Sequence, residues 1–175
     1  MSTLKVSTIS PLGTDATKTI TLGDSAGTLA IASGAKTSGF GKVGQIVTVQ
    51  NTTFTSTTST SFTDTGMSLA ITPTSTSSKI LCQISAGLGN TTSSTDTVIK
   101  VLRDSTEVLQ CARIAFNTGG HGNAQQFFQV LDSPSTVSEI TYKLQMKSDG
   151  GTTRFNDSAS NGNPSSSIIL AEILD

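Results

Sequence analysis

The chain has no tryptophan, one tyrosine, one histidine and two cysteines. Each scarcity removes a class of function. A lone histidine, His121, cannot assemble the three or four ligands of a zinc site. Cys82 and Cys111 are too few for a disulfide framework. Sugar-binding sites commonly stack pyranose faces on exposed Trp or Tyr, so their near absence disfavours a lectin of that kind, although loops of Asn, Ser and Thr could still recognise a host-surface glycan by hydrogen bonding. Charged residues make up 13% of the chain, against a usual share of about 25%. Net charge is −1 and the eleven Lys and Arg are scattered. A surface that holds nucleic-acid phosphate or anionic lipid needs a basic cluster, so no nucleic-acid partner is expected. No run approaches the roughly 18 apolar residues of a membrane span, so no membrane insertion is expected either. Met1 is followed by Ser2 and Thr3 rather than by the basic and apolar stretches of a signal peptide, which predicts assembly inside a host cell and release by lysis.

What fills the chain instead is serine and threonine, 56 of 175 residues. Threonine favours strands and serine favours turns, so the bias points to all-β structure. Leu, Ile, Val and Phe total 42 of 175 residues, enough apolar side chain for a core rather than for disorder.

Two regions differ in pattern. Residues 1–42 alternate short β-prone runs with glycine turns and hold too little to close a core. Thr17–Leu22 and Thr28–Ile31 read as a small hairpin around Gly23–Gly27, and a hairpin that small is marginal in water unless it packs on something. The arm's apolar set, Leu4, Val6, Ile9, Ile20, Leu22, Leu29 and Ile31, is too sparse to bury itself, but three copies could bury it mutually around a cyclic axis. Residues 43–175 show cleaner alternation. Strands are predicted at Gln45–Val49, Gly66–Thr72, Lys79–Leu88 and Ser138–Met146, with others around Phe62 and over Thr97–Arg103, Ala112–Phe116, Gln126–Leu131, Thr152–Phe155 and Ser167–Leu174. In the fourth, Ile140, Tyr142, Leu144 and Met146 should face inward and Glu139, Thr141, Lys143 and Gln145 outward. Phe40, Phe54, Phe62, Phe116, Phe127, Phe128 and Phe155 are the expected bulky core formers. Nine or ten short strands with turn signals between them fit an antiparallel β-sandwich of jelly-roll type, with no helix.

No constellation of catalytic residues emerges. Gly23-Asp-Ser-Ala-Gly27 spells a nucleophile elbow, but that elbow needs a strand-to-helix turn, and the Thr-Leu-Ala-Ile after it is strand-like. Ser25 has only the distant His121 as a possible base, so a plain turn is expected. Cys82 shares the apolar face of Ile80 and Ile84 and should behave as a small hydrophobe. Asp104 and Glu107 flank a turn and should be solvated. The spellings Asn51-Thr-Thr, Asn90-Thr-Thr and Asn156-Asp-Ser match glycosylation acceptors but are expected to go unused without a secretory route. No metal and no cofactor is expected.

Ser2-Thr-Leu-Lys-Val6 and the stretch Thr21–Ala35 resemble the N-terminal arm and shaft element of tailed-phage fibre proteins. Asp64–Pro73, Ser77–Leu81, Ile140–Gln145 and Ile169–Leu174 resemble the head domains of marine and freshwater phage fibre-like proteins. The resemblance implies a non-enzymatic virion structural protein. With only one shaft-like element its reach is short, so the expectation is a homotrimeric capsid decoration (cement) protein on the virion surface, held by its arm to the major capsid protein. A short tail fibre or receptor-binding adhesin on a tail component is the alternative, and a carbohydrate-binding module is a third.

Overall fold

The computed structural model describes residues 43–92, 95–116, 122–157 and 165–174, with 111–116 and 122–123 described at the backbone alone. The arm, its expected hairpin, Ser25 and His121 lie outside the described residues. So do all seven arm residues, Leu4, Val6, Ile9, Ile20, Leu22, Leu29 and Ile31. Every described residue belongs to one compact unit, Gly41–Asp175.

Ten strands build it: β1 (Val43–Asn51), β2 (Thr55–Thr57), β3 (Thr63–Ile71), β4 (Lys79–Asn90), β5 (Thr95–Arg103), β6 (Thr106–Phe116), β7 (Gly122–Asp132), β8 (Ile140–Ser148), β9 (Thr153–Phe155) and β10 (Ser166–Ile173). Among the described residues there is no helix. One sheet runs β1-β10-β4-β7, with the short β9 continuing β10 along the same edge of β4 and β2 pairing β9. The other runs β3-β8-β5-β6. All pairings are antiparallel, and the long strands pair outermost with outermost: β1 with β10, β3 with β8, β4 with β7, β5 with β6. A long hairpin of four strand pairs wrapped into two sheets is the jelly roll. The sandwich expected from the alternation is thus present.

Alternation decides which side chains fill the space between the sheets. Along β8 the odd-one-out rhythm is complete: Ile140, Tyr142, Leu144, Met146 and Ser148 are buried, while Lys143, Gln145 and Lys147 are not. On β4, Ile80, Cys82 and Ile84 point the same way and are at most 1% exposed. Met67, Ile71, Ala86, Leu88, Ile99, Val101, Phe155, Ile168 and Leu170 complete the core. Full burial of each large side chain contributes about 1.5–3 kcal/mol, so this interior supplies the main driving force.

Several expectations need correction. Of the seven phenylalanines expected in the core, Phe155 is fully buried and Phe128 packs partly against the core, but Phe54 is 50% and Phe127 63% exposed. Phe62 lies outside any strand, beneath a lysine. Phe40 and the Phe116 side chain lie outside what is described. Phe127 and Phe128 are adjacent on one strand, so they must face opposite ways. The sixth strand begins at Thr106 rather than Ala112, because it pairs with β5 from Arg103↔Thr106 onward despite its polar first residues. The three-residue β2 holds no apolar residue and gave no alternation to detect.

Candidate functional site

Three groups of partly or fully buried polar side chains tie strands and connections together. At one end Asp132 Oδ2, from the last residue of β7, accepts the Tyr142 hydroxyl at 2.7 Å and the Arg103 guanidinium at 2.6 Å. Asp132 belongs to one sheet and its two donors to the other, so the cluster ties the layers. Burial and then the bonded Asp132 carboxylate push the Tyr142 hydroxyl well above its ordinary value. Burial, with the Asp132 charge adding to it, pushes the Cys82 thiol up to about 12. A thiol held protonated is a poor nucleophile and a poor metal ligand, consistent with the hydrophobic role read from its spacing. Cys82 is free, and the backbone of Cys111 lies on the opposite sheet, across from Ile99.

A second group uses the three asparagines of the sequon-like spellings. Asn156, at φ 55°, donates from Nδ2 to the Asn51 carbonyl at 2.8 Å and accepts from Ser166 Oγ at 2.6 Å. Ser166 Oγ in turn accepts the Gly87 amide at 3.0 Å. These bonds close the gap where β1 gives way to β2 and β9 to β10. Asn90, 1% exposed, donates to the Gly150 carbonyl and accepts the Thr92 amide. Asn51 accepts the Thr53 amide at 2.7 Å. The third group centres on Glu172, fully buried on β10. Its Oε1 accepts the Thr74 amide at 2.7 Å and the Thr74 hydroxyl at 2.8 Å, and its Oε2 accepts Gln45 Nε2 at 2.8 Å. Burial pushes this carboxyl upward, but the bonds from Gln45 and Thr74 outweigh it and hold the group below the usual carboxylate range. Sequence patterning carries no trace of these ties, because bonds between distant residues leave no period.

The solvated turn expected at Asp104 and Glu107 is present, both residues being exposed, and it is also pinned: Asp104, at φ 52°, donates its amide to Thr141 O at 2.7 Å and accepts the Thr141 amide at Oδ1. Glu107 lies 3.9 Å from Lys100. Among the described residues no three His, Cys, Asp or Glu side chains gather as metal ligands do.

The two outer faces differ sharply. On the β3-β8-β5-β6 sheet, Lys143 meets Asp64 at 3.4 Å and Lys147 meets Asp149 at 3.6 Å, and the Lys100 ammonium sits 4.3 Å from the centre of the Phe62 ring. That face is charged and internally paired. On the other sheet the register aligns side chains of one parity in rows across four strands. One row is Ile46, Ala171, Leu81 and Leu131. The next is Thr48, Ile169, Gln83 and Gln129, and the third is Gln50, Ser167, Ser85 and Phe127. These three rows carry no charge. Ile46 is 62%, Leu131 54% and Ile169 37% exposed. These three rows, half apolar and half uncharged polar, are the strongest candidate for a functional surface among the described residues.

No protein-family model matches the chain, and no curated protein sequence matches it. Solved structures similar to it include infectious bursal disease virus of the Gx strain, at 9% identity and a TM-score of 0.42, covering 75% of this chain and 37% of that one. The Gt strain structure, with 9% identity and a TM-score of 0.40, covers 75% and 38%, and the VP2 subviral particle of the same virus, also at 9% and 0.40, covers 74% and 37%. The chain therefore spans well under half the length of those chains. A likeness this distant assigns no activity or partner; the class rests on the strand order above, an all-β jelly-roll sandwich.

Proposed function

We propose that this chain is a non-enzymatic virion structural protein, a homotrimeric decoration protein anchored to a capsid by residues 1–42. The observation that supports it most directly is the division of labour between interior and surface. The described polar clusters are spent on cohesion, while one sheet offers three adjoining uncharged rows of the kind buried between proteins. The resemblance of residues 2–6 and 21–35 to phage arm and shaft segments adds the setting. The arm's apolar residues Leu4, Val6, Ile9, Ile20, Leu22, Leu29 and Ile31 would supply attachment to the major capsid protein.

A protein that binds only the assembled particle stabilises it by mass action. Particles lacking this protein should release DNA at a lower temperature or a milder osmotic shock than particles carrying it, and intact particles should hold hundreds of copies. A chain starting at Lys42 should fold yet fail to attach. The same arm resemblance favours a short tail fibre as the second reading. A dozen or so copies, unchanged particle stability and lost host adsorption would establish that reading and end the decoration proposal.

A further inference from the structure

We infer that the ionised Glu172 carboxylate is a latch where the chain enters the sandwich, and that protonating it frees the start of β1 and the β3-β4 connection while the remaining strands stay closed. The ladder is interrupted at this point. Val43 pairs with Ile173 and Ile46 with Ala171, so Gly44 and Gln45 together stand opposite the single residue Glu172, as in a β-bulge. Val43 follows directly on residues 1–42, so whatever holds the bulge sets how firmly the sandwich grips the incoming chain.

The Glu172 side chain supplies the hold that the bulge lacks. Its Oε2 accepts from Gln45 Nε2, and its Oε1 accepts from both the amide and the hydroxyl of Thr74. Gly44 leaves it room, since a Cβ there would lie 3.2 Å from Oε2. From β4 it is opposed by Ile80, also fully buried, while the neighbouring Lys79 has the opposite parity and stands exposed. Every group that meets the carboxylate here is therefore neutral, and the bonded ones are donors. A protonated carboxyl must itself donate, yet Oε1 faces a backbone N–H and Oε2 faces an amide nitrogen, neither of which accepts. Turning the Gln45 amide over gives no relief. The same Nε2 also donates to the Thr72 carbonyl at 2.7 Å, and the turned amide would set oxygen against oxygen there. Beyond the bulge, Ile46–Asn51 keep their pairing with β10 and the core keeps its packing, so the opening is confined to the bulge and the connection. Closure favours the ionised form, so the latch is fully set above the carboxyl's ordinary value of 4.5 and is lost as pH falls through its lower value in the closed state.

Amide hydrogen exchange on the full-length chain, resolved by NMR and corrected for the intrinsic rate at each pH, tests this. The Thr74 amide bonds directly to the carboxylate and is the reporter. The Ile84 amide, on a strand paired on both sides, is the control. Between about pH 6 and about pH 3, Thr74 should lose about tenfold or more of its protection while Ile84 keeps its own. In Glu172→Gln, which cannot ionise, that pH response of Thr74 should vanish. Thr74 and Ile84 losing protection in step would show global unfolding and overturn the latch, as would a Thr74 amide indifferent to pH over that span. A response that persists in Glu172→Gln would assign it to another group and overturn the latch too. The wild-type titration needs no variant, so it decides the matter should Glu172→Gln fail to fold.

Discussion

Glu172 shows how much one buried carboxylate can hold. It joins β10 to β1 through Gln45 and to the β3-β4 connection through Thr74, and it is fully buried. Hydrogen bonds to a charged group are worth about 1.5–3 kcal/mol each before the cost of burial is counted. Because the folded carboxyl titrates below its unfolded value of 4.5, its contribution is fully present above that pH and is lost as pH falls through the lower folded value. Glu172→Gln should therefore cost about 1–3 kcal/mol at neutral pH. The gap to wild type should shrink in acid, below the usual carboxylate range. Urea unfolding of both proteins across that pH span measures it, and a gap independent of pH would show that the charge is not what the site uses.

At the scale of elements, the four strands with clear alternation, β1, β3, β4 and β8, were plain in the sequence, and the three-residue β2 and the polar start of β6 were not. β8 could be read because one face meets the core and the other meets water, so composition copies geometry. β2 is three Ser and Thr residues held only by pairing to β9, and pairing with a distant strand leaves no local mark. Phe127 misled for a related reason: aromatic residues are usually buried, but the parity that puts Phe128 inside puts its neighbour outside. The uncharged rows were likewise hidden, since they exist only once four strands are in register. Parity gives a direct test on β8. Leu144→Ala should cost about 2–5 kcal/mol. Lys143→Ala, one residue away, should cost under about 1 kcal/mol, because its ion pair with Asp64 is exposed. Equal losses in denaturant melts would mean that the strand is shared differently between core and water.

For the whole molecule the decisive feature is that the last strand is not peripheral. β10 lies between β1 and β4, paired with β1 from Ser166 and with β4 from Ser167, in both cases as far as Ile173. The sheet that carries the uncharged rows therefore cannot close until the end of the chain has arrived. Pairings of such long sequence separation are slow to form, so refolding should run on the millisecond-to-second scale or slower. Removing an edge strand from a sheet can leave the rest standing; removing β10 would strip β1 of its partner, leave one edge of β4 bare, and take Ile168 and Leu170 out of the core. A chain ending at Ser165 should thus lose cooperative unfolding altogether and collect as aggregate, since bared strand edges and apolar rows invite association. Recovery of that shortened chain as a soluble protein with a sharp urea transition would contradict the central placement of β10, and with it the row of Ile46, Ala171, Leu81 and Leu131 that spans the sheet.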